Sequence, residues 1–276
     1  MAEQSVSVDP LRELVFIGGG NMGAALIGGL IASGTPADTL AVVELSFDRR
    51  EWLRAEFPGV LVTDIVPGCR GAVLAVKPPQ IAEVAVTAAR AGAQRVLSIA
   101  AGISTATIDA AVEEVRSELN VAIAVIRAMP NTPALVGKGV AAIAGGSGVG
   151  EADLRWAEEI LTGVGSCMRI SEDLFDAVTA VTGSGPAYVF LFAEALTAAA
   201  CTAGIEQATA DQMVSQLLSG SAELLAQRGD PVGLRAMVTS PGGTTAAGIA
   251  AMEAEGFRSA INAAVSAAAQ RSRELG

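Results

Sequence analysis

The chain contains no histidine. That absence removes the side chain that most often moves protons near neutral pH, and the commonest zinc ligand with it. Ser-His-Asp and Cys-His mechanisms are excluded. Cysteine is scarce as well: Cys69, Cys167 and Cys201 are widely spaced and odd in number. They suit reduced thiols in a cytoplasm better than a disulfide framework or a zinc site, so no metal centre is expected. Positive charge is also short, with 18 Lys and Arg against 29 Asp and Glu and a net charge of −11. Nucleic-acid binding needs a basic surface and is therefore not expected. The segment Met1 to Arg12 lacks the basic-then-apolar pattern of a signal peptide. The most apolar stretch, Ala187 to Ala203, carries Glu194 in its middle. A buried helix is expected there in place of a membrane span. A helix so apolar needs a covering surface, which predicts an oligomer.

What is present is a chain of 276 residues, 51% hydrophobic, enough for one large domain or two ordinary ones with real cores. Apolar runs predict strands at Leu14 to Ile17, Leu40 to Glu44, Ala72 to Val76, Val96 to Ala101 and Val121 to Ile126. Helical periodicity falls between them, at Asn21 to Ser33, Arg49 to Phe57, Ile81 to Ala91 and Thr105 to Leu119. After the turn Gly145 to Gly150 come a helix, Glu151 to Leu161, and a last strand, Cys167 to Ile170. Strands that are nearly continuous in apolar residues and alternate with helices predict a doubly wound parallel sheet of the Rossmann type. From Ser171 the strand signals stop. Helices are predicted at Glu172 to Val181, Ala187 to Ala203, Ala208 to Gln227, Val232 to Val238, Thr244 to Glu255 and Phe257 to Leu275. The expected organisation is thus an α/β domain over 1–170 and an all-helical domain over 171–276.

Gly18, Gly20 and Gly23 match G-x-G-x-x-G between a predicted strand and a predicted helix. Gly18 permits the tight turn, Gly20 lets the backbone approach a pyrophosphate, and Gly23 lets helix and strand pack closely. Glu44, at the end of the second strand, is placed to bond ribose hydroxyls, which favours NAD. Arg49 and Arg50 follow closely and suit a 2′-phosphate, so the expectation is NADPH or NADH. Ala75-Val76-Lys77-Pro78 and Ala101-Gly102-Ile103 end two further strands, where open α/β sheets bind ligands. In the helical half, Thr182-Gly183-Ser184-Gly185-Pro186 and Ser240-Pro241-Gly242-Gly243-Thr244-Thr245 each precede a helix. Backbone N–H groups and hydroxyls exposed together there suit a small carboxylate. With net negative charge, such local devices must capture an anionic ligand.

These residues together resemble the pyrroline-5-carboxylate reductase family from about Leu14 to Leu275. The resemblance rests on Phe16-Ile17-Gly18-Gly19-Gly20-Asn21-Met22-Gly23, Ala75-Val76-Lys77-Pro78, Arg127 to Pro133, Gly183-Ser184-Gly185-Pro186-Ala187-Tyr188 and Ser240 to Thr245. It implies reduction of the cyclic imine 1-pyrroline-5-carboxylate to L-proline by NADPH or NADH, the last step of proline biosynthesis. It further implies cofactor contacts from Ile17, Gly18, Gly19, Gly20, Asn21 and Met22, from Ala75 to Pro78, and from Ala101, Gly102 and Ile103. Gly243, Thr244 and Thr245 would hold the substrate carboxylate, with the Thr245 hydroxyl facing the ring nitrogen as the catalytic group. Glu172 matches a family position that reaches the substrate. The resemblance implies a homodimer through the helical domain, in some members assembled into a homodecamer, with each cleft completed by the partner's helices. The chain departs from the family pattern at Asp230-Pro231, where members often have His-Pro, and at Met237.

The chemistry suits a chain without histidine. A protonated imine is already a good hydride acceptor and needs no metal, so the protein's task is orientation. Two other readings are open. A related imine or 3-hydroxyacid reductase shares the architecture, but the hydroxyacid enzymes use a lysine on the long helix, and Val178 to Ala203 has none. A non-catalytic dinucleotide sensor would keep the glycine loop and lose Ser240 to Thr245.

Overall fold

In a computed structural model, the structure describes residues 11–275. Of the segment Met1 to Arg12, read as lacking a signal-peptide pattern, the part up to Pro10 lies outside them. Strands β1 (Arg12–Ile17), β2 (Leu40–Val43), β3 (Leu61–Thr63), β4 (Cys69–Leu74), β5 (Arg95–Ser98), β6 (Ala124–Met129), β7 (Gly139–Gly145) and β8 (Gly165–Arg169) form one sheet in the order β3-β2-β1-β4-β5-β6-β7-β8. The helices among them are α1 (Asn21–Ala32), α2 (Phe47–Glu56), α3 (Ile81–Arg90), α4 (Thr105–Leu119) and α5 (Glu151–Thr162). The doubly wound reading holds from β1 to β6, where every pairing is parallel.

Both faces of that sheet are buried, and the strand sequences show why. Leu14 and Phe16 point into one core with Leu26, Ile27 and Leu30 of α1. Val15 and Ile17 point into the other with Ile81 and Ala85 of α3 and Ile108, Val112 and Val115 of α4. Each such fully buried large side chain is worth roughly 1.5–3 kcal/mol. Because neither face meets water, the strands are apolar at successive positions.

Two strands escape the apolar-run reading. β3 has three residues, too few for a pattern. β7 pairs antiparallel with β6, and β8 then pairs parallel with β7. The connection from Pro130 to Lys138 is too short for a parallel crossover, which takes a dozen or more residues, so β7 must reverse. The helix predicted over Glu172 to Val181 is also different. A 3₁₀ turn, Glu172–Leu174, leads into α6 (Phe175–Val178) and then a π-helical turn, Thr179–Gly183. The Thr182 carbonyl in that turn accepts from Asn131 Nδ2 at 3.0 Å. A Cβ on Gly183 would lie 2.5 Å from Met129 Cε. The turn is thus shaped by the chain that follows β6.

The chain divides into two compact units. One comprises the described residues up to Gly183 with the chain from Ala268, and the other is Ser184–Ala267. The second contains α7 (Gly185–Thr202), α8 (Gln207–Arg228), α9 (Pro231–Met237), α10 (Thr244–Ala254) and most of α11 (Phe257–Leu275). Neither α7 nor α10 buries a residue. By length and composition alone, the continuous helical stretch Glu172–Thr202 is apolar enough to cross a membrane. The burial expected of Ala187 to Ala203 is not found in the lone chain, where α7 buries no residue.

Candidate active site

The glycine loop joins β1 to α1 at the carboxyl ends of β1 and β4. Gly18 has φ +110, and a Cβ there would collide with the Ala75 carbonyl. Only glycine fits both constraints. A Cβ on Gly23 would lie 2.5 Å from the Gly18 carbonyl, so α1 can pack this close only without one. Gly20 is the contrast: its Cβ direction faces open space, and it N-caps α1 with no side-chain hydrogen bond. The first turn of α1 carries no acidic residue. Its N–H groups are therefore presented to an outside anion, which the helix dipole favours. This bare helix start fits a dinucleotide pyrophosphate, the role expected of the loop from Ile17 to Met22.

Glu44 closes the far side of the loop. Gly19 N–H donates to its Oε2 at 3.0 Å and Ser46 N–H to its Oε1 at 2.9 Å. The Arg49 Nε donates to the Gly19 carbonyl at 2.6 Å, and its guanidinium lies 3.9 Å from the centre of the Trp52 ring. Arg50 turns away, donating to the Glu44 and Leu45 carbonyls at 2.9 and 2.8 Å. A carboxylate and one guanidinium thus share the edge where an adenosine ribose would lie, so the geometry leaves the two cofactors as balanced as the residues did.

Ala75 and Val76 are half-buried where β4 ends, and the Ala75 N–H donates to the Ile17 carbonyl at 2.8 Å. Lys77 is exposed and precedes the turn Pro78–Gln80. Beyond β5, the half-buried Ala101-Gly102-Ile103 leads into α4, with Gly102 at φ +80. The second unit holds Gly243, Thr244 and Thr245. Gly243 N-caps α10 in an extended conformation, and a Cβ there would lie 2.5 Å from Ser240 Oγ. Thr244 and Thr245 are exposed in the first turn, which has no side-chain cap. Its N–H groups and hydroxyls therefore face outward together.

Glu172 sits in a network that the residues alone did not reveal. Its carboxylate accepts from Thr105 N–H at 2.8 Å, from Thr105 Oγ1 at 2.6 Å and from an Arg127 guanidinium nitrogen at 3.2 Å. Arg127 is only 6% exposed, and its guanidinium lies 4.5 Å from the centre of the Phe175 ring. The sequence reading ends this strand at Ile126, whereas it runs to Met129 and carries Arg127, whose charge in a buried strand needs a counter-charge. Asn131 was also missed. It is buried, with Oδ1 accepting from Val140 N–H at 2.9 Å and Nδ2 bonded to the π-turn. Among the described residues no group of His, Cys, Asp and Glu could hold a metal.

Comparison with known proteins adds an independent line. Residues 172–275 match the family model for pyrroline-5-carboxylate reductase dimerisation, and residues 13–102 match that for coenzyme F420-dependent NADP oxidoreductases. The chain is 40% identical to the pyrroline-5-carboxylate reductase of Mycobacterium tuberculosis over 96% of its own length and 97% of the relative's. It superposes on a pyrroline-5-carboxylate reductase from Coxiella burnetii with a TM-score of 0.86 at 33% identity, covering 97% and 99% of the two chains. An NADP-bound pyrroline carboxylate reductase from Plasmodium falciparum gives 0.79 at 28% identity, covering 96% and 98%. With this identity sustained from the glycine loop through the last helix, the chain belongs to the pyrroline-5-carboxylate reductase family.

Proposed function

We propose that this chain carries out its family's reaction, reduction of the C=N bond of 1-pyrroline-5-carboxylate to L-proline, with the residues named above in the following roles. The first-turn N–H groups of α1 and the backbone from Ile17 to Met22 bind the pyrophosphate of NAD(P)H, and Glu44 borders its ribose. Ala75 to Pro78 and Ala101 to Ile103 border the nicotinamide, which supplies the hydride when bound. Gly243, Thr244 and the N–H groups beside them hold the substrate carboxylate. Thr245 donates a hydrogen bond at the ring nitrogen, and its hydroxyl is the group we name catalytic. The observation that carries this reading is the pair of uncapped, glycine-led helix N-termini, at Gly20 and Gly243, in a chain of this family.

The domain assignment, with cofactor binding over 1–170 and substrate binding and dimerisation over 171–276, belongs to the same proposal. So do a homodimer through the helical region, its assembly into a decamer, and a cytoplasmic setting. The matched dimerisation model and three free cysteines support them. The apolar surface of α7 is then covered by a second copy in place of lipid.

The test is oxidation of NAD(P)H by the purified protein in the presence of 1-pyrroline-5-carboxylate, with NADPH and NADH compared directly. Thr245→Ala is expected to lower kcat by roughly tenfold to a thousandfold, the range for losing a transition-state donor. Cofactor affinity should stay as it was. An unaltered kcat removes Thr245 from the mechanism.

A further inference from the structure

We infer that Glu172 is a positioning residue: its carboxylate, bridging Thr105 at the start of α4 and Arg127 of β6, fixes the loop Ala101-Gly102-Ile103. The inference rests on the assignment of that loop to the nicotinamide side of the cofactor. It replaces direct contact between Glu172 and substrate with action through the loop.

The loop leaves β5 at Ser98 and enters α4 at Thr105. Each of its ends lies next to a residue of the same ion pair. Ser98 stands opposite Arg127 in the β5–β6 register. Thr105 donates twice to Glu172, from N–H at 2.8 Å and from Oγ1 at 2.6 Å. Arg127 and Glu172 join at 3.2 Å.

The first turn of α4 explains why a distant carboxylate is needed. Ser104 caps it, but the Ser104 side chain accepts from Thr107 N–H at 3.2 Å. The Thr105 N–H is a helix-end donor with no intrahelical acceptor. Glu172, arriving from the far side of β8, supplies one, and the helix dipole favours its negative charge there. Arg127 needs Glu172 equally, because a guanidinium 6% exposed is stable only with a counter-charge. The Phe175 ring covers the other side of that guanidinium, and Phe175 is itself 1% exposed in a cluster with Ala142 and Ala144 of β7. The bridge is therefore seated on the rigid sheet. Three donors already occupy the carboxylate.

The experiment pairs hydrogen exchange on the cofactor-free protein with steady-state kinetics. Glu172→Gln keeps the shape and removes the charge that Arg127 and the start of α4 face, while the Thr105 hydroxyl can turn to accept from the new amide. Exchange over residues 101–108 should quicken about tenfold, as for loss of a helix cap, with α3 unaltered. In the kinetics, kcat should fall by a similar factor while the KM for the imine stays within about twofold. Thr105→Val removes only the hydroxyl bond and carries the same test if the first variant does not fold. The two substitutions together should be no worse than the more severe one alone. Unaltered exchange over 101–108 overturns the proposal. So does a raised KM with unaltered kcat, or losses that multiply in the double variant, since those mark Glu172 as a substrate contact. The loop's assignment is tested apart from this by Gly102→Ala, strained at φ +80. If cofactor affinity, read by fluorescence, is unaltered in that variant, the assignment fails and the proposal with it, whatever the exchange data show.

Discussion

At the scale of single residues, glycines and one thiol show how much local physics the site uses. Gly18 and Gly20 stand two positions apart and do opposite things. The first has no room for a side chain, and the second leaves room open for a ligand. A motif match cannot separate these roles, but the positions of Ala75 and of open space do. Cys69 shows burial acting on chemistry. It is fully buried at the start of β4, and burial pushes its thiol up to about 11. The neutral thiol is thus favoured by folding. Stability from this group is intact below the unfolded value, near 8.5, and is lost as pH rises towards about 11. Denaturation midpoints should therefore decline between pH 9 and pH 11, and less so in Cys69→Ala. Cys69 should also react with a thiol reagent far more slowly than Cys201, which is only half-buried. Equal rates in the native protein would contradict this.

At the scale of elements, the edge strand β8 is held by charge. Arg169 at its end donates to Glu158 at 2.6 and 2.7 Å and to Glu151 at 2.7 and 2.9 Å, both on α5. Hydrogen bonds from Arg169 hold both carboxyls below the usual carboxylate range. Their folded values are depressed, so the contribution is present above the unfolded value and is lost as pH falls through the folded one. Arg169→Met should lower the melting temperature at pH 7, and the difference from the parent should shrink below pH 4. Because the cluster is exposed, the effect should be small and should weaken in high salt. A difference that persists unaltered at pH 3 would exclude the ionic account. The same strand also shows how an edge is kept from pairing with another chain: it is short and ends in a charged clasp.

At the scale of the whole molecule, the helical unit cannot be stable as a lone surface. Helix α7 exposes Val189, Phe190, Leu191 and Phe192, and α8 exposes Met213, Leu217, Leu224 and Leu225. Apolar area of this extent marks an interface. The reductase is a homo-oligomer, and the region concerned is the one that matches the family's dimerisation model. Phe190→Asp should dissociate the assembly in sedimentation at micromolar concentration and lower reductase activity with it. The parent's melting temperature should rise with protein concentration, as mass action requires. A variant that sediments like the parent would place the interface elsewhere.

The sequence by itself determined the alternation of strands and helices, the glycine loop, the change to helices after β8 and the family. Each is written in neighbouring residues: apolar runs, helical periodicity, and glycines at fixed offsets. Helix α4 and helix α11 are read to the residue, because caps and turn glycines mark their ends. Only the tertiary structure decided the rest. β7 reverses because its connection is short, a matter of reach between strands. The helix predicted from Glu172 runs through a π-turn in which Pro186 offers no N–H to the Thr182 carbonyl and Asn131 Nδ2 donates to it instead. Glu172 meets Thr105 and Arg127 only when three separate stretches of chain are folded onto one sheet end. The loop at Gly18 to Gly23 could be read from six consecutive residues. What ties Glu172 to the start of α4 could not, because the carboxylate stands 67 residues beyond the amide it bonds.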